Sequence, residues 1–186
     1  SLAAVLLVGA AVIPAQADTF YVFTNSLVAD QGAADISGGN LANAFATITN
    51  QAGDVTVIIS NSAPLTFTNP ANSYSGDTII EQGTLAAAVN APNAANGAFG
   101  NASTDIQVGS TNAANSSAAT LLIGAAGVEV GRSITINAGG TGNRTVGATN
   151  PTGTATYSGN ILMNTNVTLS ASNAGGTTLF SGALSG

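Results

Sequence analysis

An aromatic residue followed by serine and glycine occurs at Tyr157-Ser158-Gly159 and again, 23 residues later, at Phe180-Ser181-Gly182. An earlier copy stands at Tyr74-Ser75-Gly76. A turn that returns at a spacing in the low twenties marks a chain that winds over itself, each rung stacked on the last. Between the turns the sequence breaks into short apolar-polar runs closed by Asn, Gly or Pro, which read as strands. These are Pro64–Thr68, Thr78–Ile80, Thr84–Val89, Asp105–Val108, Thr120–Ile123, Val128–Val130, Ser133–Asn137, Arg144–Val146, Asn160–Met163, Val167–Ser170 and Thr177–Phe180. Strands this short also suit a sandwich. The interval between the last two turns fits better a coil of three short strands and three turns. At roughly 20–25 residues per coil, residues 18–186 would make about seven or eight coils.

Composition agrees with an all-β solenoid. The chain has 23 glycines and few helix formers, which favours turns and strands. Only 5% of its residues are charged, against about 25% in ordinary soluble domains. Lysine and histidine are absent, and Arg132 and Arg144 are the only bases in a chain of net charge −6. Asn, Thr, Ser and Gln must therefore carry the solvation, with ladders of these residues replacing ion pairs. Nucleic acid is excluded as a partner, because phosphate binding needs clustered bases. The absence of cysteine removes disulfide and thiol chemistry.

Residues 1–17 read as a signal peptide. Leu2–Ile13 is uncharged and apolar, and Ala15-Gln16-Ala17 has the small-x-small form of a cleavage site, placing the mature start at Asp18. The run is too short for a membrane helix, which needs roughly 20 apolar residues. Residues 18–60 read as a capping region with the first coil. Asp18–Phe23 is an opening strand, and Leu41, Ala44, Phe45 and Ile48 form the apolar stripe of a short helix with Asn40 as its N-cap. Such a helix would cover the open end of the stack. Asp54–Ser60 is the next strand, and residues 61–186 form the repeat region.

The run Asn72-Ser73-Tyr74-Ser75-Gly76-Asp77-Thr78-Ile79-Ile80-Glu81-Gln82-Gly83-Thr84-Leu85 resembles the autotransporter-associated β-strand repeat. Gly97-Ala98-Phe99-Gly100, Asp105-Ile106-Gln107-Val108 and Ala155-Thr156-Tyr157-Ser158-Gly159-Asn160-Ile161 are similar to its continuation. The resemblance covers about residues 70–186. It implies a right-handed parallel β-helix from a large secreted bacterial protein, commonly the passenger of an autotransporter. The implied location is secreted or on the cell surface, at the outer membrane of a Gram-negative-type bacterium. Membrane contact would come only through a downstream anchor or barrel that this sequence does not contain.

Enzymatic readings meet few suitable residues. Glycoside hydrolysis needs two carboxylates within roughly 5–10 Å, and the closest pair in sequence, Asp77 and Glu81, flanks a strand beside a turn. Without His or Cys, triads and thiol nucleophiles are unavailable. Gly139-Gly140-Thr141-Gly142-Asn143-Arg144 imitates a calcium-binding β-roll repeat, but Arg144 stands where a ligand aspartate belongs, so no metal or cofactor is expected. The sequons at Asn101, Asn115, Asn143 and Asn166 are frequent by chance in so Asn- and Thr-rich a chain and receive no role. Tyr74, Tyr157 and Phe180 offer a sugar-stacking column on paper, although repeated turn aromatics are expected to pack on the neighbouring coil. The leading reading is a non-catalytic, surface-exposed stalk, adhesive where its polar ladders meet extracellular glycans or a host or neighbouring-cell surface. Two rivals stand beside it: the N-terminal fragment of a carbohydrate-active β-helix enzyme, and a self-associating extracellular fibre or matrix protein.

Overall fold

Strands mostly of two to six residues cannot stand alone, so each must hydrogen-bond to its counterparts on the rungs above and below. The computed structural model describes residues 19–23, 55–60, 64–171 and 175–186. In chain order its strands are β1 (Thr19–Phe23), β2 (Val55–Ser60), β3 (Leu65–Phe67), β4 (Thr78–Ala87) and β5 (Ile106–Val108). They continue with β6 (Ala119–Ile123), β7 (Glu129–Val130), β8 (Ile134–Ile136), β9 (Arg144–Ala148) and β10 (Gly153–Tyr157). The last four are β11 (Ile161–Met163), β12 (Thr168–Ser170), β13 (Gly176–Phe180) and β14 (Leu184–Ser185). Every pairing between them is parallel.

The strands form three faces. The first stacks β1, β2, the start of β4, β5, β8, β11 and β14. The second stacks β3, the end of β4, β6, β9 and β12, and the third stacks β7, β10 and β13. Successive rungs visit the faces in that order, giving an all-β parallel solenoid of about four turns. The expected seven or eight coils do not appear in the described part, because most rungs are longer than the repeated turn suggests. Gly153 and Gly176 lie one over the other at the interval of that turn, but Gly83 and Ala119 are stacked across a much longer stretch of chain. No helix occurs among the described residues, and the expected capping helix at 40–52 and signal peptide at 1–17 lie outside them.

Inward columns make the core. Ile80, Val108 and Ile136 stack on the first face, and Leu85, Leu121 and Val146 on the second. All six are fully buried, each side chain contributing about 2 kcal/mol of apolar transfer. The runs at Thr78–Ile80 and Thr84–Val89, read from sequence as two strands, are one strand, β4. Its pairing with β2 steps from Ile59↔Ile80 to Ser60↔Gln82, leaving Glu81 as a bulge, and Gly83 takes a φ of 85°. Bulge and glycine together turn the corner between two faces while the backbone stays extended. Two strands, β10 and β14, leave no clear trace in the sequence: Thr and Gly dilute the apolar alternation of β10, and β14 is only two residues long.

Candidate functional site

The repeated turn is a structural device. Tyr157 pairs in register with Phe180, and their rings stack 5.2 Å apart at 7°. Ser181 N–H donates to the Tyr157 carbonyl (2.9 Å), as Ser158 N–H does to Val130 (3.0 Å) and Asn101 N–H to Tyr74 (2.9 Å). A side chain on Gly159 would overlap the carbonyl of Arg132, and one on Gly182 that of Gly159, so the rungs close only over glycine. Tyr74 begins its own rung shortly before β4, as Tyr157 does before β11 and Phe180 before β14. Tyr74 and Tyr157 are fully buried, which removes them as a sugar-stacking column. The Tyr74 hydroxyl shares a hydrogen bond with Thr78 Oγ1 (2.9 Å), and the Tyr157 hydroxyl donates to the Gly147 carbonyl (2.6 Å). Burial pushes the Tyr74 phenol up to about 12, the Thr78 bond and nearby Arg132 opposing the shift; burial also raises Tyr157. Ser75-Gly76 continues from Tyr74 as Ser158-Gly159 does from Tyr157.

Nothing in the sequence indicates that both arginines lie inside. Arg132, just before β8, is fully buried. Its guanidinium donates to the Thr104 carbonyl through Nε (3.1 Å) and Nη2 (2.7 Å), and through Nη1 to the Phe99 carbonyl and Thr78 Oγ1 (3.3 Å). Phe99 and Thr104 belong to an excursion, residues 92–105, that leaves the stack after the third face and returns at β5. Phe99 itself is buried with its ring 5.8 Å from Phe67, and Asn72 Nδ2 holds the Ala98 carbonyl at 2.9 Å. Burial lowers the Arg132 pKa, while Tyr74, Asp77 and Asp105 oppose the shift. One guanidinium thus satisfies carbonyls that an irregular loop could not pair within the sheet.

Arg144 does the same at another corner. It begins β9 on the inward side, in register with Ala119, and its guanidinium donates to the carbonyls of Gly139, Gly140 and Gly142. The Gly-rich run that resembles a calcium loop therefore gathers carbonyls around a cation tethered to the chain itself. Because both of the protein's bases are internal, the side chains on its surface carry no positive charge.

The carboxylates sit differently from their order in sequence. Asp77 lies just before β4 and Glu81 at the bulge within it. Asp77 and Asp105 occupy matching positions on adjacent rungs, one residue before the paired Thr78 and Ile106. Each accepts from the next rung: Asp77 from Gln107 Nε2 (3.4 Å) and Asp105 from Thr135 Oγ1 (2.7 Å). Asn137 Nδ2 reaches Gln107 Oε1 at 3.4 Å, continuing a polar ladder up the first face. The offset from Asp77 to Asp105 equals that from Gln107 to Thr135, and this match, hidden among unequal loops, was the signal that could have found the column. Among the described residues no group of three or more His, Cys, Asp or Glu could hold a metal ion. Compared with known protein families, curated proteins and solved structures, the chain matches none.

Proposed function

We propose that this chain is part of a secreted or surface-displayed stalk, a right-handed β-helical passenger of the autotransporter type that acts as a spacer and contact surface and not as an enzyme. The observation carrying this reading is the in-register stack of three parallel faces whose two cations are turned inward. Such a rod presents Asn, Thr, Ser and carboxylate ladders to solvent and keeps its rungs together without ion pairs between surface side chains. Asp77 and Asp105 fit a structural role, since each accepts a hydrogen bond from the next rung along the first face. Residues 1–17 act as the export signal in this reading, and anchoring comes from a segment beyond Gly186. The test is protease shaving of intact cells making the full-length protein, with N-terminal sequencing of the exported species. Release of fragments from residues 64–186, with a mature start at Asp18, supports the proposal. A chain protected until the cells are lysed, or one that retains residues 1–17, overturns it.

A further inference from the structure

One corner of the solenoid opens into a cleft of about 300 Å³ lined by Asn90, Pro92, Asn93, Glu129, Gly131 and Ser158. Its origin is the departure of the chain from the stack. Ala91 still pairs with Val130, but Pro92 has no N–H to continue the ladder, and the excursion begins there. The rung above bears Ser158 at the same corner, so a gap remains between Pro92-Asn93 and Ser158. Gly131 is its floor. A Cβ on Gly131 would sit 3.6 Å from Asn93 N, Pro92 Cα and Ser158 Oγ, in open contact with both walls.

The polar groups around this gap are held in place yet not used up. Asn90 Oδ1 accepts from Glu129 N–H at 2.9 Å, which fixes the amide and leaves its NH2 group without a protein partner. The Ser158 hydroxyl donates to Glu129 Oε1, leaving the second carboxylate oxygen free to accept. Asn93 supplies a further exposed amide, and the Pro92 ring an apolar edge. One fixed amide donor, an exposed second amide, a carboxylate acceptor and a hydroxyl beside a small apolar surface match the alternating hydroxyls and C–H faces of a sugar ring. With Glu129 at the cleft and both arginines buried, an anionic sugar would meet only repulsion.

We infer that this cleft is a subsite for one neutral pyranose ring of an extracellular glycan. The inference draws its setting from the proposed stalk but is tested separately from it. The purified chain is titrated, with backbone amide signals followed by NMR, against methyl glycosides of glucose, galactose, mannose and N-acetylglucosamine, and against guanidinium chloride and calcium chloride. The expected result is saturable, millimolar binding of at least one glycoside at the amides of Asn93, Gly131 and Ser158. Gly131→Leu, which fills the floor, abolishes it while the remaining amide signals stay in place, and Glu129→Gln weakens it about tenfold by removing a charged acceptor. If no glycoside saturates these amides, if Gly131→Leu binds unchanged, or if guanidinium or calcium alone titrates the same signals, the inference fails. A chain found on the cell surface that binds no glycoside sinks the subsite and not the stalk; binding by a chain retained inside the cell does the reverse.

Discussion

The rungs between residues 64 and 150 and those between 151 and 186 are built from the same strands but held together by different means. In the upper group the repeat is regular: Ile161 lies under Leu184 and Gly153 under Gly176, at one common interval. In the lower group the interval changes from pair to pair, short at Ala119↔Arg144 and far longer at Ala91↔Val130, because excursions interrupt the rungs. The lower group also holds most of the closed core, and both arginines there are bonded to loop carbonyls. In the upper group Leu162, Leu169, Leu179 and Leu184 are exposed. The regularity most visible in the sequence thus marks rungs that depend on their neighbours, while the irregular rungs carry their own internal fastenings. Each regular rung contacts only the next, as expected where stability is shared between neighbouring repeats.

The largest effect separates the two stacked aromatics of the upper group, one beneath a further rung and one at its end. Tyr157 is buried beneath a further rung, so Tyr157→Ala should cost about 3–5 kcal/mol in urea unfolding. Phe180 is only half-buried, and Phe180→Ala should cost about 1 kcal/mol, mostly the lost ring pair. Equal losses at the two sites would show the last rung of the upper group to be as tightly held as the rung beneath it.

Arg132 tests the fastening itself. Arg132→Leu keeps bulk but takes from the Thr104 carbonyl its guanidinium donors and leaves the Phe99 carbonyl only a long bond from Thr78 Oγ1 (3.5 Å), a loss on the order of 3 kcal/mol. Arg132→Lys should recover little of it, since an ammonium cannot span both carbonyls as the planar fork does. Hydrogen exchange should rise first across residues 92–105. Exchange rising first in residues 176–185 instead would mean that the clasp acts on the whole rod.

How far the sequence could be read follows the same division. Tyr157 over Phe180 was legible because no excursion interrupts the rung between them. The strand positions were mostly legible too, since β-branched runs closed by Gly or Asn leave few other options. The Asp77–Asp105 column and the cleft beside Glu129 were not, because both depend on where an excursion leaves and rejoins the stack. Loop length is what shifts the register, and nothing local in Pro92–Asp105 announces it. Nor could Arg144 be recognised as an internal cation: the glycine run was legible as a tight turn, but the convergence of its carbonyls is a property of the folded loop.

Alkaline titration should weaken the lower group next. The Tyr74 phenol is held near 12 in the folded chain against 10.0 when free, so the folded state keeps a proton that the unfolded state loses. Its contribution is fully present below about pH 10 and is lost as pH rises towards 12, an effect on the order of 2 kcal/mol. Tyr157, also raised by burial, acts in the same sense. Arg132 acts in the opposite one, its pKa being lowered by burial, and because Tyr74 opposes that shift, the difference between wild type and Tyr74→Phe reports the tyrosine together with its effect on Arg132. A Tyr74→Phe protein whose stability falls as steeply as the wild type over this range would place the alkaline sensitivity elsewhere.

The smallest effect expected is on the outer ladder of the first face. Thr135 Oγ1 donates to Asp105 across one rung, but both groups are only half-buried and water can replace either. Thr135→Val keeps the β-branched shape the strand prefers, so unfolding should shift by about 0.5 kcal/mol or less. The register continues upward from Thr135 to Leu162 and Ser185, so the ladder meets an exposed leucine where the regular rungs begin. Leu162→Thr would carry polar residues one rung further, and it too should be nearly neutral, because an exposed hydroxyl gains little over its bonds to water. If Thr135→Val instead costs more than about 2 kcal/mol, well beyond the usual surface range, the outer ladder and not the buried arginines holds the lower rungs together. Leu162→Thr should then stabilise the upper group measurably, and the two regions would differ in how far one ladder extends along them.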